Sequence, residues 1–113
     1  MTNIASIVTI LKDLVSFDTT SRDSNLDLIS YVEDYLSNYG IKSTLVENDQ
    51  RTKANLYATI SASNTRGIML SGHTDVVPVD GQSWSTNPFV LHQDGNHLYG
   101  RGTADMKGFI ACV

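Results

Sequence analysis

The stretch Gly67-Ile-Met-Leu-Ser-Gly-His73-Thr-Asp75-Val-Val-Pro-Val79 decides the fold class. Its short apolar run, residues 68–70, predicts an interior strand of a mixed sheet with both faces covered. His73 and Asp75 then follow at the carboxyl end of that strand, the edge where α/β sheets bind ligands. Because side chains alternate along an extended chain, the imidazole and the carboxylate point to the same side. This pair suits a metal site, and a strand end with purely local hydrogen bonds is the simpler alternative.

The residues before this stretch predict two amphipathic helices and a pair of strands. Thr2 or Asn3 is placed to cap the first helix, and Ser24 with Asp27 resembles a capping box for the second. The predicted elements are a helix near residues 4–15, a helix near residues 28–39 closed by Gly40, and strands over residues 41–47 and 55–61. Helices and strands in this order predict an α/β fold, a mixed sheet with flanking helices.

The end of the chain predicts a hairpin, a glycine-rich turn and a further helix. Asp94-Gly95-Asn96 is a hairpin signal between two short strand patterns. Asp105 stands at the start of a helix over residues 106–113, where a carboxylate is favoured. It is either an ordinary N-cap or a carboxylate presented to a cation. Because this last helix shows neither cap nor stop signal, we expect the chain to be part of a larger domain.

Composition excludes several classes of protein. The chain has 113 residues, enough for one domain, with 41% hydrophobic and 18% charged residues, which excludes a disordered tail and a membrane protein. A net charge of −4 argues against a nucleic-acid or membrane surface as partner. The N-terminus lacks the pattern of a signal peptide, and the single cysteine, Cys112, fits a reducing compartment. We therefore expect a soluble cytoplasmic domain.

Three blocks of the sequence carry a family resemblance. They are Ser71-Gly-His-Thr-Asp-Val-Val-Pro-Val79, Trp84-Ser-Thr-Asn-Pro-Phe89 and Leu98-Tyr-Gly-Arg-Gly-Thr-Ala-Asp-Met-Lys-Gly108. In this order they resemble the dinuclear zinc metallopeptidase and deacylase family of acetylornithine deacetylase and succinyl-diaminopimelate desuccinylase. The resemblance is contiguous over residues 67–113 and looser towards the N-terminus. Within the family, the acetylornithine deacetylases are the more similar group, on the residues Val79-Asp-Gly-Gln82 and Gly102-Thr-Ala-Asp-Met-Lys-Gly-Phe109.

The resemblance implies a role for three residues. His73 matches the histidine that binds one zinc ion, and Asp105 matches the carboxylate that bridges two zinc ions. Asp75 matches the catalytic aspartate that polarises this histidine. The resemblance also implies a strained, cis peptide bond between Asp105 and Met106.

The implied cofactors are two zinc ions per complete site, with cobalt as an alternative metal. Such a pair lowers the pKa of a bound water, and a glutamate general base takes its proton. The chain holds only two glutamates, Glu33 and Glu47, and neither belongs to the adjacent Glu-Glu pair of the family. We therefore expect residues 1–113 to be the N-terminal portion of a zinc-exopeptidase-like catalytic domain. The general base, the other ligands and the lid domain would lie outside it.

The activity that the resemblance implies is hydrolysis of an N-acyl amide. Removal of acetate from N2-acetyl-L-ornithine, in arginine biosynthesis, is the first expectation. Desuccinylation of succinyl-diaminopimelate, or a related aminoacylase or peptidase activity, is the alternative enzyme. A non-catalytic fragment that serves as a folding or interaction module is the alternative from another class. The resemblance also implies a homodimer for the full-length protein.

The other polar residues near these blocks are weaker candidates. We expect His92 and His97 to face solvent on the predicted hairpin. Arg101 is expected in a structural salt bridge and Lys107 in solvent. Cys112 is expected to be a small core residue rather than a nucleophile.

Overall fold

The computed structural model describes residues 3–61 and 66–113. Its elements are α1 (Ile4–Ser16), α2 (Leu26–Ser37), β1 (Ser43–Glu47), β2 (Ala54–Ala58), β3 (His92–Asp94), β4 (His97–Tyr99) and α3 (Lys107–Cys112). The predicted α/β class is confirmed, and so are the three helices, the two strands β1 and β2 and the hairpin of β3 and β4. None of the helices in the described part of the chain has the length and apolar content needed to cross a membrane.

The ends of the first two helices follow from local chemistry. Asn3 caps α1, because its side-chain oxygen accepts a hydrogen bond of 3.2 Å from the Ala5 N–H. At the end of α2, Gly40 adopts a φ of 72°, and the Ile41 N–H donates to the Leu36 carbonyl at 3.1 Å. This is the Schellman ending that the sequence predicts for a glycine at this position.

The start of α2 differs from the predicted capping box. Ser24 Oγ accepts a hydrogen bond from the Leu26 N–H at 3.2 Å. The N-cap residue, Asn25, makes no capping bond. Its amide instead donates to the Ala54 carbonyl at 2.9 Å and accepts from the Ala54 N–H at 3.0 Å. Asn25 therefore ties the start of α2 to strand β2.

The strands form two separate antiparallel pairs. In the first pair, β1 lies against β2 with Ser43 opposite Ala58. In the second, β3 lies against β4 with His92 opposite Tyr99. A parallel bridge also joins Thr20, after α1, to Val76. This bridge brings the end of α1 to the segment that carries His73 and Asp75.

The hydrophobic core is built on α1. One face of this helix buries Leu11, Leu14 and Val15, which pack with Leu28 of α2 and Ala111 of α3. The contact between α1 and α3 fixes where α3 begins. Since Asp105 lies just before α3, the core also determines the position of that carboxylate.

The predicted interior strand at residues 68–70 is wrong in this structure. The segment is neither strand nor helix. Ile68, Met69 and Leu70 are 91%, 80% and 60% exposed. An apolar run becomes an interior strand only when neighbouring strands take its backbone hydrogen bonds and other elements cover its faces. No strand of the described residues pairs with it, since the named strands pair only with each other.

Candidate functional site

The predicted site residues His73, Asp75 and Asp105 meet at one imidazole ring. His73 Nε2 lies 2.9 Å from Asp105 Oδ1, across 32 residues of sequence. On the other side of the ring, His73 Nδ1 lies 3.0 Å from the Asp75 backbone carbonyl and 3.3 Å from the Asp75 side-chain Oδ1. Each ring nitrogen therefore faces an oxygen acceptor.

The oxygen acceptors at both ring nitrogens favour the protonated form of the His73 imidazole. The pKa of His73 is raised above its ordinary value, first by the hydrogen bond to the Asp75 carbonyl and also by the Asp105 carboxylate, while partial burial opposes both. The hydrogen bond at Nδ1 fixes the orientation of the ring and directs Nε2 towards Asp105. A carbonyl or carboxylate at Nδ1 is the usual arrangement for a histidine that binds a metal through Nε2.

The donor atoms fit part of a metal site. An imidazole nitrogen and a carboxylate oxygen are ligands that zinc accepts, and His73 Nε2 and Asp105 Oδ1 lie in direct contact at 2.9 Å. The Asp75 carboxylate lies at the other ring nitrogen and does not share that contact. Across residues 3–61 and 66–113, no three His, Cys, Asp or Glu side chains are grouped so that they could hold a metal ion. The described chain thus brings together two side chains of types that can bind zinc, whereas a zinc site requires three or four ligands.

Asp105 is held by a tight turn at the start of α3. The peptide bond between Asp105 and Met106 is cis, as the family resemblance implies. The Lys107 N–H donates to the Gly102 carbonyl at 2.8 Å and closes the turn. Gly102 has a φ of 88°, a conformation that other residues rarely adopt. The glycine-rich sequence therefore presents the carboxylate on a short, backbone-bonded turn.

The three residues line a small, open cleft. Its volume is about 180 Å³, and its walls come from the His73–Val77 region and from the turn of residues 100–105. The side chains of His73, Asp75 and Asp105 are 48%, 54% and 84% exposed. The site is therefore accessible to a small molecule or ion from solvent.

The expectation that Lys107 lies in solvent is wrong. The residue is fully buried, and its Nζ donates a hydrogen bond of 2.7 Å to the Phe17 carbonyl at the end of α1. Burial lowers its pKa to about 8, against the opposing effect of Asp18. A signal was present, because Lys107 shares the inward face of α3 with Ile110 and Ala111, at the i, i+3 and i+4 positions.

Two further expectations about side chains are also corrected. Arg101 forms no salt bridge with the described residues; its guanidinium lies 5.1 Å from the Trp84 ring centroid and donates to Gln82. Cys112 is exposed rather than part of the core. His92 and His97 face solvent as predicted, on strands β3 and β4. They lie apart from the cleft.

Comparison with known proteins shows which family the chain resembles. Residues 69–113 match the model of Peptidase family M20/M25/M40. The chain is 40% identical over 107 residues to a succinyl-diaminopimelate desuccinylase of Rickettsia bellii, covering 92% of this chain. It is 41% identical over 97 residues to an acetylornithine deacetylase of Proteus mirabilis, covering 85% of this chain. An acetylornithine deacetylase of Edwardsiella ictaluri is 37% identical over 120 residues, covering 99% of this chain.

The chain spans about a quarter to a third of the length of these relatives, namely 27%, 25% and 31%. The two activities occur among relatives of nearly equal identity, so identity does not distinguish them. The matched family segment contains His73, Asp75 and Asp105, the residues that meet in the cleft. The resemblance seen in the sequence is confirmed, since residues 69–113 of the chain match the model of Peptidase family M20/M25/M40 and the relatives carry the two names that the resemblance implies.

Proposed function

We propose that residues 1–113 form the N-terminal portion of the catalytic domain of a metal-dependent amidohydrolase. In this proposal His73 is a zinc ligand, Asp105 is the carboxylate that bridges two zinc ions, and Asp75 orients the histidine. The observation that carries the proposal is the distance of 2.9 Å between His73 Nε2 and Asp105 Oδ1, within a segment that matches the family. These two residues are 32 positions apart in the sequence, and both line the cleft.

In this proposal, a metal and the side chains of the chain each supply part of the chemistry. When bound, zinc supplies the Lewis acidity that polarises an amide carbonyl and lowers the pKa of a water. The Asp75 carbonyl holds His73 Nδ1 as a donor, so that Nε2 is the nitrogen left for a metal. The carboxylate of Asp105 offsets positive charge at the same point. The open cleft admits a small substrate to these groups.

The proposal requires a general base from elsewhere in the protein. Glu33 accepts a hydrogen bond of 2.9 Å from Ser43, and Glu47 lies 3.7 Å from Arg51. Neither glutamate lines the cleft. We infer that the base, the remaining zinc ligands and the lid domain belong to parts of the protein beyond the 113 residues.

For the substrate we propose N2-acetyl-L-ornithine, hydrolysed to L-ornithine and acetate in arginine biosynthesis. Two named relatives, at 41% and 37% identity, are acetylornithine deacetylases, which supports this choice. A succinyl-diaminopimelate desuccinylase at 40% identity supports the alternative. We further propose that the full-length protein is a cytoplasmic homodimer.

The test is an assay of the protein encoded by the complete reading frame that contains these residues. With zinc present, we expect hydrolysis of N2-acetyl-L-ornithine and a large loss of activity on His73→Ala. Turnover of succinyl-diaminopimelate alone would establish the alternative enzyme. No turnover of either substrate or of a set of other N-acyl amino acids and dipeptides, with the protein folded and zinc present, would favour a non-catalytic module and contradict the proposal.

A further inference from the structure

The buried polar side chains of the described residues converge behind the candidate site. They are Thr19, Thr20 and Lys107, which are 2%, 2% and 0% exposed. Burying a polar side chain is unfavourable unless it is hydrogen bonded, so each of them marks a place where a specific contact is needed. Their partners lie in three segments: residues 17–20 after α1, residues 74–76, and residues 102–107. We call residues 17–20 the anchor segment.

The anchor segment holds the backbone on both sides of Asp75. Thr19 Oγ1 donates to the Thr74 carbonyl at 2.6 Å. The Val76 N–H donates to the Thr19 carbonyl at 3.0 Å, and the Ser21 N–H donates to the Val76 carbonyl at 2.9 Å. Since Thr74 and Val76 flank Asp75, these bonds fix the residue that orients the His73 ring.

The same segment holds the turn that carries Asp105. Lys107 reaches from α3 to the anchor segment, where its Nζ donates to the Phe17 carbonyl at 2.7 Å. Its backbone N–H closes the turn through Gly102. Its methylene groups pack under that glycine, so that a Cβ built there would lie 3.1 Å from Lys107 Cδ and 2.9 Å from Val76 Cγ1.

We propose that Lys107 is a positioning residue for the candidate metal centre. Its bond to Phe17 fixes the Asp105 turn to the anchor segment that also fixes the His73 side, and this sets the approach of Asp105 to His73 Nε2. The proposal rests on the proposed function for its consequence in metal binding. The claim that Lys107 sets the approach of Asp105 to His73 does not depend on the proposed function.

The chemistry of lysine suits this role. The last carbonyls of a helix have no partner within the helix, and an amine at the carboxyl end of α1 provides one. A methionine has a similar length and fills the same space, yet it donates no hydrogen bond. Lys107→Met therefore removes the directional contact to Phe17 and retains most of the packing.

The experiment compares the wild-type 113-residue chain with Lys107→Met by NMR of the histidine side chains at one fixed pH. The readout is the Nε2 chemical shift of His73. The Asp105→Asn variant provides the reference shift of His73 when no carboxylate lies beside Nε2. His92 and His97, outside the cleft, are internal references. The matched control is Ser43→Ala, which removes one part-buried hydrogen bond, to Glu33, far from the site.

We expect Lys107→Met to move the His73 signal towards its value in Asp105→Asn, with His92 and His97 unchanged. We expect its unfolding midpoint in urea to stay close to that of Ser43→Ala. Zinc added alone should bind about 10-fold or more weakly to Lys107→Met than to the wild type, the range typical for residues that orient metal ligands.

Three results would overturn the proposal. One is a folded Lys107→Met with an unchanged His73 signal. Another is a global loss of structure in Lys107→Met, because Lys107 would then serve the whole fold rather than the site. The third is an equal shift of His73 in Ser43→Ala. If zinc binds away from His73 in the wild type, the proposed function fails, while the His73 signal still decides whether Lys107 positions Asp105.

Discussion

Gly102 supports the Asp105 turn in two ways, and replacing it with alanine tests both. The residue has a φ of 88°, which is unfavourable for a residue with a Cβ by about 1–2 kcal/mol. The added Cβ would also lie 2.9 Å from Val76 Cγ1 and 3.1 Å from Lys107 Cδ. Overpacking of this kind destabilises by about 1–3 kcal/mol. We therefore expect Gly102→Ala to lower the free energy of unfolding by about 2–5 kcal/mol, a large share of the ~5–15 kcal/mol typical of a whole protein.

Gly81→Ala is the matched control for this prediction. Gly81 has a similar φ of 71°, and nothing lies within 4 Å of a Cβ built there. The conformational penalty and the effect on the unfolded chain are common to both variants, so they cancel in the difference. Urea unfolding followed by circular dichroism gives the free energies. We expect Gly102→Ala to be less stable than Gly81→Ala by about 1–3 kcal/mol. Equal losses in the two variants would refute the packing that we describe around the turn.

Three other predictions concern the fold and its surface. Burial and a hydrogen bond to Asp13 raise the pKa of Tyr31 from 10 to about 12, so its contribution to stability is complete below pH 10 and is lost as the pH rises through about 12. Tyr31→Phe should remove this alkaline loss, as measured by urea unfolding at a series of pH values; an unchanged pH profile would contradict it. Asn25→Ala, which removes both bonds to Ala54, should lower the free energy of unfolding by about 1–3 kcal/mol in the same assay, and a smaller loss would mean that these bonds do not tie α2 to β2. The exposed run at residues 68–70 should cause self-association that grows with concentration in sedimentation velocity, and Ile68→Lys should reduce it; unchanged self-association in Ile68→Lys would contradict this prediction.

The helices and hairpins could be predicted from the sequence because their signals are local. The apolar spacing of residues 4–15, the glycine at position 40 and the Asp94-Gly95-Asn96 turn each specify a structure within a few residues. The run at residues 68–70 could not be predicted in the same way. Its apolar character indicates burial, but burial depends on strands and helices elsewhere, and no described strand lies beside it.

The same difference between local signals and contacts with distant parts of the chain applies to the candidate site. His73, Asp75 and Asp105 carry chemistry that is visible in their residue types and in the family resemblance, and the structure brings them together. The role of each as a ligand or an orienting residue remains a prediction. Lys107 was placed in solvent because lysine is usually exposed. Its burial depends on a carbonyl 90 residues away in sequence, at Phe17, and residue type alone does not indicate such a contact.

The most direct test of the central claim is a calorimetric titration of the 113-residue chain with zinc, alongside His73→Asn and Asp105→Asn. His73 and Asp105 are the two zinc ligands that we propose within these residues, fewer than a tight zinc site requires. We therefore expect at most one equivalent of zinc, bound weakly, with binding lost in both variants. Two equivalents bound tightly by the wild type, or zinc binding that is unchanged in Asp105→Asn, would contradict the proposed site.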